Sequence, residues 1–247
     1  MICLIPARAG SKRIPGKNTR LLAGHPLYAY TVAVAKQSGV FSRVMVCTDD
    51  PTVNANRYGA DPGIWRREPV PDDQPDIEWV RQALACLDVR SWSFCILRPT
   101  SPFRSVAMLQ RAKRQFESYC LNADSLRAVE PVTQHPGKMW TWEGQGSAIK
   151  PLLDKKHPCG TPWHSSPTQS LPTYYVQNSS LEMAWTANVE VHNTIHGRSV
   201  MPFFTEGYEG FSIDYERDWR EAEALIASGA AVLPALPLAA LPPPSAA

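Results

Sequence analysis

Met1-Ile-Cys-Leu-Ile-Pro-Ala-Arg-Ala-Gly-Ser-Lys-Arg-Ile-Pro-Gly-Lys-Asn18 opens the chain. Residues 2–5 are an unbroken apolar run of strand length. They deliver the chain into a loop holding Gly10, Gly16, Ser11, Asn18 and the cations Arg8, Lys12, Arg13 and Lys17. Glycines let a backbone approach a ligand closely and turn its N–H groups inward. Arginine neutralises phosphate oxygens by paired hydrogen bonds, and lysine does so as a point charge. A strand running into such a loop reads as a polyphosphate cradle at the carboxyl end of a sheet. Five residues separate Gly10 from Gly16 and Asn18 follows Lys17, so this is neither a Walker A loop nor a G-x-G-x-x-G turn.

Outward from this segment, short apolar runs alternate with amphipathic ones. Strands are expected at 43–47, 94–97 and 125–129, with helices over 27–37, 77–87 and 106–119. This rhythm predicts an α/β, Rossmann-like domain: a mostly parallel twisted sheet flanked by helices, with ligands at the carboxyl ends of its strands. The polar segments 7–18, 48–50 and 98–104 all fall there. Residues 131–172 break the rhythm with Pro, Gly, Trp and His. They read as a protruding excursion, a substrate lid or dimer arm, with 139–142 and 148–152 paired as a hairpin. Strands at 181–185 and 200–204 and a helix at 216–226 follow. Residues 1–231 are thus one domain with an excursion at about 131–180. The uncharged Ala/Leu/Pro tail 232–247 is expected to be mostly disordered.

Length 247 and a hydrophobic fraction of 44% provide for a sizeable core. A net charge of +2 does not read as a nucleic-acid binder. No stretch reaches the length of a membrane span and no signal peptide is read. Six cysteines without a C-x-x-C pair, three of them in strand-like runs, fit reduced buried thiols in the cytoplasm. His192 and His196 have the spacing of a zinc pair but lack the intervening glutamate, so they are read as ordinary surface residues.

The opening loop closely resembles the signature of the acylneuraminate (CMP-sialic acid) cytidylyltransferases, approximately I-P-A-R-x-G-S-K-R-[IL]-P-x-K-N. The related Kdo-activating enzymes share the layout but usually carry Ser-Thr-Arg-Leu-Pro-Gly-Lys-Pro. Further matches follow in order. Val44-Met-Val-Cys-Thr-Asp-Asp50 resembles V-x-V-S-T-D-D, and Leu97-Arg-Pro-Thr-Ser-Pro-Phe-Arg104 resembles L-x-P-T-S-P-x-R. Phe211-Ser-Ile-Asp-Tyr-Glu-Arg-Asp-Trp219 resembles D-I-D-T-x-E-D-[WF]. Together they span most of the chain; the middle and tail match poorly.

The resemblance implies transfer of CMP from CTP to the anomeric hydroxyl of an acidic sugar, with release of pyrophosphate. Ala7, Arg8, Gly10, Ser11, Lys12, Arg13, Lys17 and Asn18 would bind the nucleotide, joined by Arg67 or its neighbour Arg66. Lys17 would stand nearest the reacting phosphate and Asn18 against the base or ribose. Lys17, Arg8 and Asp214 are the expected catalytic set. Mg2+ is the expected cofactor, with Asp214 as its ligand; the family's usual partner aspartate is Ser212 here. Asp218 is expected to serve the following helix, and Asp49 or Asp50 either to help the metal or to cap a turn. Arg98 stands where many sialic acid enzymes carry Gln or Tyr, and could pair with a sugar carboxylate. Thr100, Ser101 and Arg104 either contact sugar hydroxyls or finish the turn; Gln177 and Asn178 are further candidate sugar contacts, as are Gln134, His135 and Lys138. A homodimer is implied. The other readings are a different acidic acceptor, such as Kdo, and a silent nucleotide-binding relative.

Overall fold

The computed structural model describes residues 1–61, 65–66, 75–86, 91–119 and 122–237. Seven strands form the main sheet: β1 (Ile2–Pro6), β2 (Arg43–Thr48), β3 (Trp65–Arg66), β4 (Ser93–Ile96), β5 (Ser125–Pro131), β6 (Tyr175–Trp185) and β7 (Val200–Phe204). Their spatial order is β7-β5-β6-β4-β1-β2-β3. β1 pairs in parallel with β2 on one side and β4 on the other, and β2 continues in parallel to β3. β6 runs antiparallel to β4, with Glu182 opposite Ile96. The helices are α1 (Leu27–Gln37), α2 (Asp76–Ala85), α3 (Val106–Ser118), α4 (Thr186–Glu190) and α5 (Glu216–Ala227).

The strand period of two sorts the core into layers. Cys3, Ile5, Val44, Val46, Cys95 and Leu97 face one side of the sheet. There they pack with Val32 of α1 and Met108, Leu109 and Ala112 of α3. Ile2, Leu4, Met45, Cys47, Phe94 and Ile96 face the other side, with Trp79, Val80 and Ala83 of α2. A central strand covered on both faces must be apolar at every position, so residues 2–5 lack the alternation of a half-exposed strand. The thiols of Cys3, Cys47 and Cys95 are buried. Burial pushes the Cys3 and Cys95 thiols above their ordinary range.

A third cluster anchors the segments around the loop: Ile14, Leu22, Leu27, Tyr30, Phe103, Ile213 and Trp219. Ile14, flanked in sequence by Arg13 and Pro15, is 1% exposed and pins the cationic loop to the core. Trp219 carries α5 into the same cluster, with the Arg20 guanidinium over its ring at 4.2 Å.

The chain divides into two compact units, Met1–Ala128 with Asn178–Ala247, and Val129–Gln177. In the second unit, Trp140–Thr141 pairs antiparallel with Lys150–Pro151, the hairpin read from the sequence. Its interior is built on His135: Nε2 meets the Pro172 carbonyl at 2.9 Å, and Nδ1 accepts from Gly137 N. The imidazole packs edge-on against Trp163 and Tyr174. Lys138 donates to the carbonyls of His164 and Ser166. These two candidate sugar contacts therefore hold the excursion together.

Two expectations are corrected here. The start of the tail is ordered: Leu233 and Leu236 pack on the core, and Gln37 Nε2 donates to Ala235 O at 2.6 Å. The apolar composition that removes charge from this stretch also gives it something to bury; residues 238–247 lie outside the described residues. Arg104, a candidate sugar contact, is 1% exposed. Its guanidinium donates to the carbonyls of Ser180, Ser101, Arg98 and Ser179 and to Thr31 Oγ1. It thereby clamps the turn after β4 to β6 and to α1. Replacing it strands several buried carbonyls, each at a cost of about 1–3 kcal/mol. Arg104→Met should therefore lose about 3 kcal/mol or more of unfolding free energy in a denaturant titration.

Candidate active site

The loop after β1 is fastened from below. Ala7 N donates to Cys47 O at 2.8 Å, and Thr48 Oγ1 donates to Ala7 O at 2.6 Å. Asp49 accepts from Ala9 N at 2.8 Å. Asn18 Nδ2 donates to Arg8 O at 2.9 Å, and Asn18 is itself buried. Asn18 thus helps to close the loop on itself. Gly16 holds φ +62°, where a side chain would be strained, and its carbonyl accepts from Thr19 N and Arg20 N. Gly10 has open space around its Cα, so its value is room above the loop and not left-handed geometry. Arg8 and Ser11 are partly buried, while Lys12 and Arg13 are exposed.

Lys17 crosses from this loop to the far end of the chain. Its Nζ donates to Ile213 O at 2.7 Å and to Asp214 Oδ1 at 3.3 Å. Arg13 stands 3.9 Å from the same carboxylate oxygen and lies over the Tyr215 ring. Burial lowers the Lys17 pKa, and the charge and hydrogen bond of Asp214 push it back up. Two of the three ammonium hydrogens are placed; the third is available to a phosphate oxygen.

Asp214 sits just before α5. Ser212 Oγ donates to its Oδ2 at 3.0 Å, so the serine at the usual aspartate position supplies a hydrogen bond in place of a second negative charge. Asp218 accepts from the backbone N–H of Asp214 and Tyr215 at 2.8 Å and caps α5, as expected. Asp50 accepts from Thr52 N and Oγ1, a turn cap. Among the described residues no group of three or more His, Cys, Asp or Glu is placed to hold a metal ion.

The turn after β4 completes the site. Thr100 O accepts from Ile213 N at 2.8 Å, so this turn, the 212–214 segment and Lys17 form one connected wall. Thr100 Oγ1 and Ser101 Oγ are buried and have no hydrogen-bond partner among the described residues. Arg98 is paired through Nη2 with Asp76 Oδ2 and Glu182 Oε1, both at 2.7 Å. Glu182 Oε2 takes Arg127 at 2.6 Å. Glu182, Arg127 and Asp76 were not singled out from the sequence, which had no signal to bring them to Arg98. Asn178 donates to Thr205 Oγ1 and accepts from Ser180 N and Oγ, bonds that fix the course of β6. Gln177 is exposed and belongs to the second unit. Arg66 lies in β3, opposite Thr48 at the edge of the sheet; Arg67 lies outside the described residues. His192 and His196 lie beyond α4, and His196 Nδ1 meets the Gly197 carbonyl at 2.7 Å.

A cationic loop, a half-buried lysine bridged to a carboxylate and a polar turn meet at adjoining strand ends of a Rossmann-like sheet, the arrangement expected of a nucleotidyltransferase. Residues 2–56 match the family described as Cytidylyltransferase. The chain is 31% identical over 241 residues to the CMP-N,N'-diacetyllegionaminic acid synthase of Legionella pneumophila, covering 92% of this chain and 96% of that one. It is 37% identical over 120 residues to the N-acylneuraminate cytidylyltransferase of Escherichia coli, covering 48% of this chain and 28% of that one. The fold is shared with a CMP:2-keto-3-deoxy-manno-octonic acid synthetase solved with CTP. There the TM-score is 0.65 at 14% identity, over 92% of this chain and 98% of that one. The chain belongs to the acylneuraminate-type cytidylyltransferase family.

The Lys17–Asp214 contact sets a sign that can be measured. Asp214 favours the charged lysine, so Asp214→Asn should lower the Lys17 pKa further. The pH above which CTP binding fades, followed by calorimetry in EDTA, should then move to lower values than in the wild type.

Proposed function

We propose that this protein transfers the cytidylyl group of CTP to the anomeric hydroxyl of a nonulosonic acid of the diacetyllegionaminic type. The observation that carries the reading is the end-to-end similarity to the Legionella enzyme, which includes the excursion as well as the cationic loop. The hydroxyl oxygen bonds to the α-phosphorus as the bond to the bridging oxygen breaks. Pyrophosphate leaves with that electron pair, and the hydroxyl proton passes to solvent. Such a transfer asks the protein chiefly for positioning and charge neutralisation. Arg8, Lys12, Arg13 and Ser11 gather the triphosphate, and Lys17 places an ammonium against it from a fixed position.

Mg2+ fits the donor set as a loosely protein-held ion. Asp214 offers one carboxylate, 40% exposed, and magnesium commonly binds through one or two carboxylates together with substrate phosphates and water. When bound it would neutralise phosphate charge. Arg13 and Lys17 share that task from the protein side, which fits a site with Ser212 where a second aspartate would stand.

Two further assignments belong to this reading. The exposed Trp140, Trp142, Ile149 and Leu152 around the hairpin support its use as a dimer arm against a second copy of the chain. The buried thiols fit a reducing compartment, the cytoplasm, and among the described residues no helix is long and apolar enough to cross a membrane.

Pyrophosphate release tests the reaction. With CTP, magnesium and N,N'-diacetyllegionaminic acid it should exceed release with Kdo, and it should vanish with other nucleoside triphosphates or excess EDTA. Faster release with Kdo would overturn the acceptor assignment. In sedimentation, the wild type should run as a dimer and a Trp142→Glu, Ile149→Glu double variant as a monomer; a monomeric wild type would remove the dimer-arm role.

A further inference from the structure

Arg98 leaves the sheet at the carboxyl end of β4, the neighbour of β1, and so on the same edge as the cationic loop. Its backbone is held rigidly, because Arg104 donates to the carbonyls of both Arg98 and Ser101. Its side chain is held from one side by Glu182, whose carboxylate is 12% exposed and spans Arg98 and Arg127 with its two oxygens. On the other side stands Asp76, in the first turn of α2, with a carboxylate 47% exposed.

The two acids differ in what they would lose by letting go. Glu182 is enclosed between two arginines. Asp76 is half in water, and its other oxygen accepts from Trp79 Nε1 at 2.8 Å, so it keeps a partner without Arg98. Both acids use the same nitrogen, Nη2 of Arg98, one hydrogen each. The Nη1 and Nε hydrogens have no partner among the described residues. A carboxylate binds guanidinium best through two parallel N–H···O bonds along one edge. On Arg98 every such edge includes Nη2, and an edge is completed only when one of the two acids is displaced. The four groups Arg98, Arg127, Glu182 and Asp76 sum to zero charge, so exchanging Asp76 for another carboxylate leaves the balance unchanged.

We propose that Asp76 is an internal stand-in for the acceptor's carboxylate: the acidic sugar binds by displacing Asp76 from Arg98, while Glu182 keeps the arginine in place. Arg98 is then the residue that selects an acid over a neutral sugar, Glu182 positions it, and Asp76 competes with substrate. This rests on the transfer reaction proposed above and adds how the acceptor is recognised there.

The test is direct binding of N,N'-diacetyllegionaminic acid and of its methyl ester to the full chain by calorimetry, beside pyrophosphate release from CTP. The wild type should prefer the acid by about tenfold or more, since the ester cannot form the charged bidentate pair. Asp76→Asn keeps the Trp79 bond through its amide oxygen and removes the competing charge. It should bind the acid about threefold more tightly, the worth of one partly exposed ion pair, with the ester unchanged. Arg98→Gln should bind acid and ester alike. An Asp76→Asn protein that binds the acid no better than the wild type overturns the inference, as does an Arg98→Gln protein that still prefers the acid. A wild type that prefers the acid, with both variants as expected, but releases no pyrophosphate upholds the inference and overturns the transfer reaction instead.

Discussion

The ammonium of Lys17, held between the Ile213 carbonyl and the Asp214 carboxylate, joins a loop at the start of the chain to a segment near its end. Much of the site follows from that contact. It fixes the distance between the cationic loop and the Asp214 carboxylate, and it does so with a side chain 12% exposed. Burial weakens the positive charge, and the aspartate offsets part of that. The pair is therefore a compromise between desolvation and Coulomb attraction. What remains is a partly exposed carboxylate beside a largely buried cation.

The same economy governs the turn after β4. Arg104 spends its whole guanidinium inside the protein, and because it does, Arg98 six residues earlier has a fixed starting point. Two arginines in one short segment thus have opposite duties. The buried one satisfies carbonyls; the partly exposed one is offered to carboxylates. Glu182 separates these duties, since its position on β6, antiparallel to β4, sets it across from the end of that strand.

Much of the scaffold was legible. The apolar run at 2–5, the alternation that followed and the Gly-rich cationic loop imply a parallel sheet with a polyphosphate site at its strand ends. Elements such as α1 and β7 fall where periodicity places them. The misreadings share one cause. Arg104, His135 and Lys138 are polar residues in segments that look functional, and each is engaged by groups that a sequence does not show. The start of the tail was misread for the converse reason. An Ala/Leu/Pro stretch lacks the signals of an element, yet Leu233 and Leu236 find a surface to pack on.

The sequence by itself determined the class of fold, the cationic loop at its strand end and the family, because these depend on local order: a strand, two glycines and closely spaced cations. Only the tertiary structure decided which polar groups are spent and which are offered. Ser212 as a donor to Asp214, Asp49 as a tether for Ala9, and Asp76 and Glu182 sharing one nitrogen of Arg98 are pairings across the chain. Hydrogen-bond satisfaction is settled by neighbours in space. A side chain's availability to a ligand is what remains after those neighbours have taken their share.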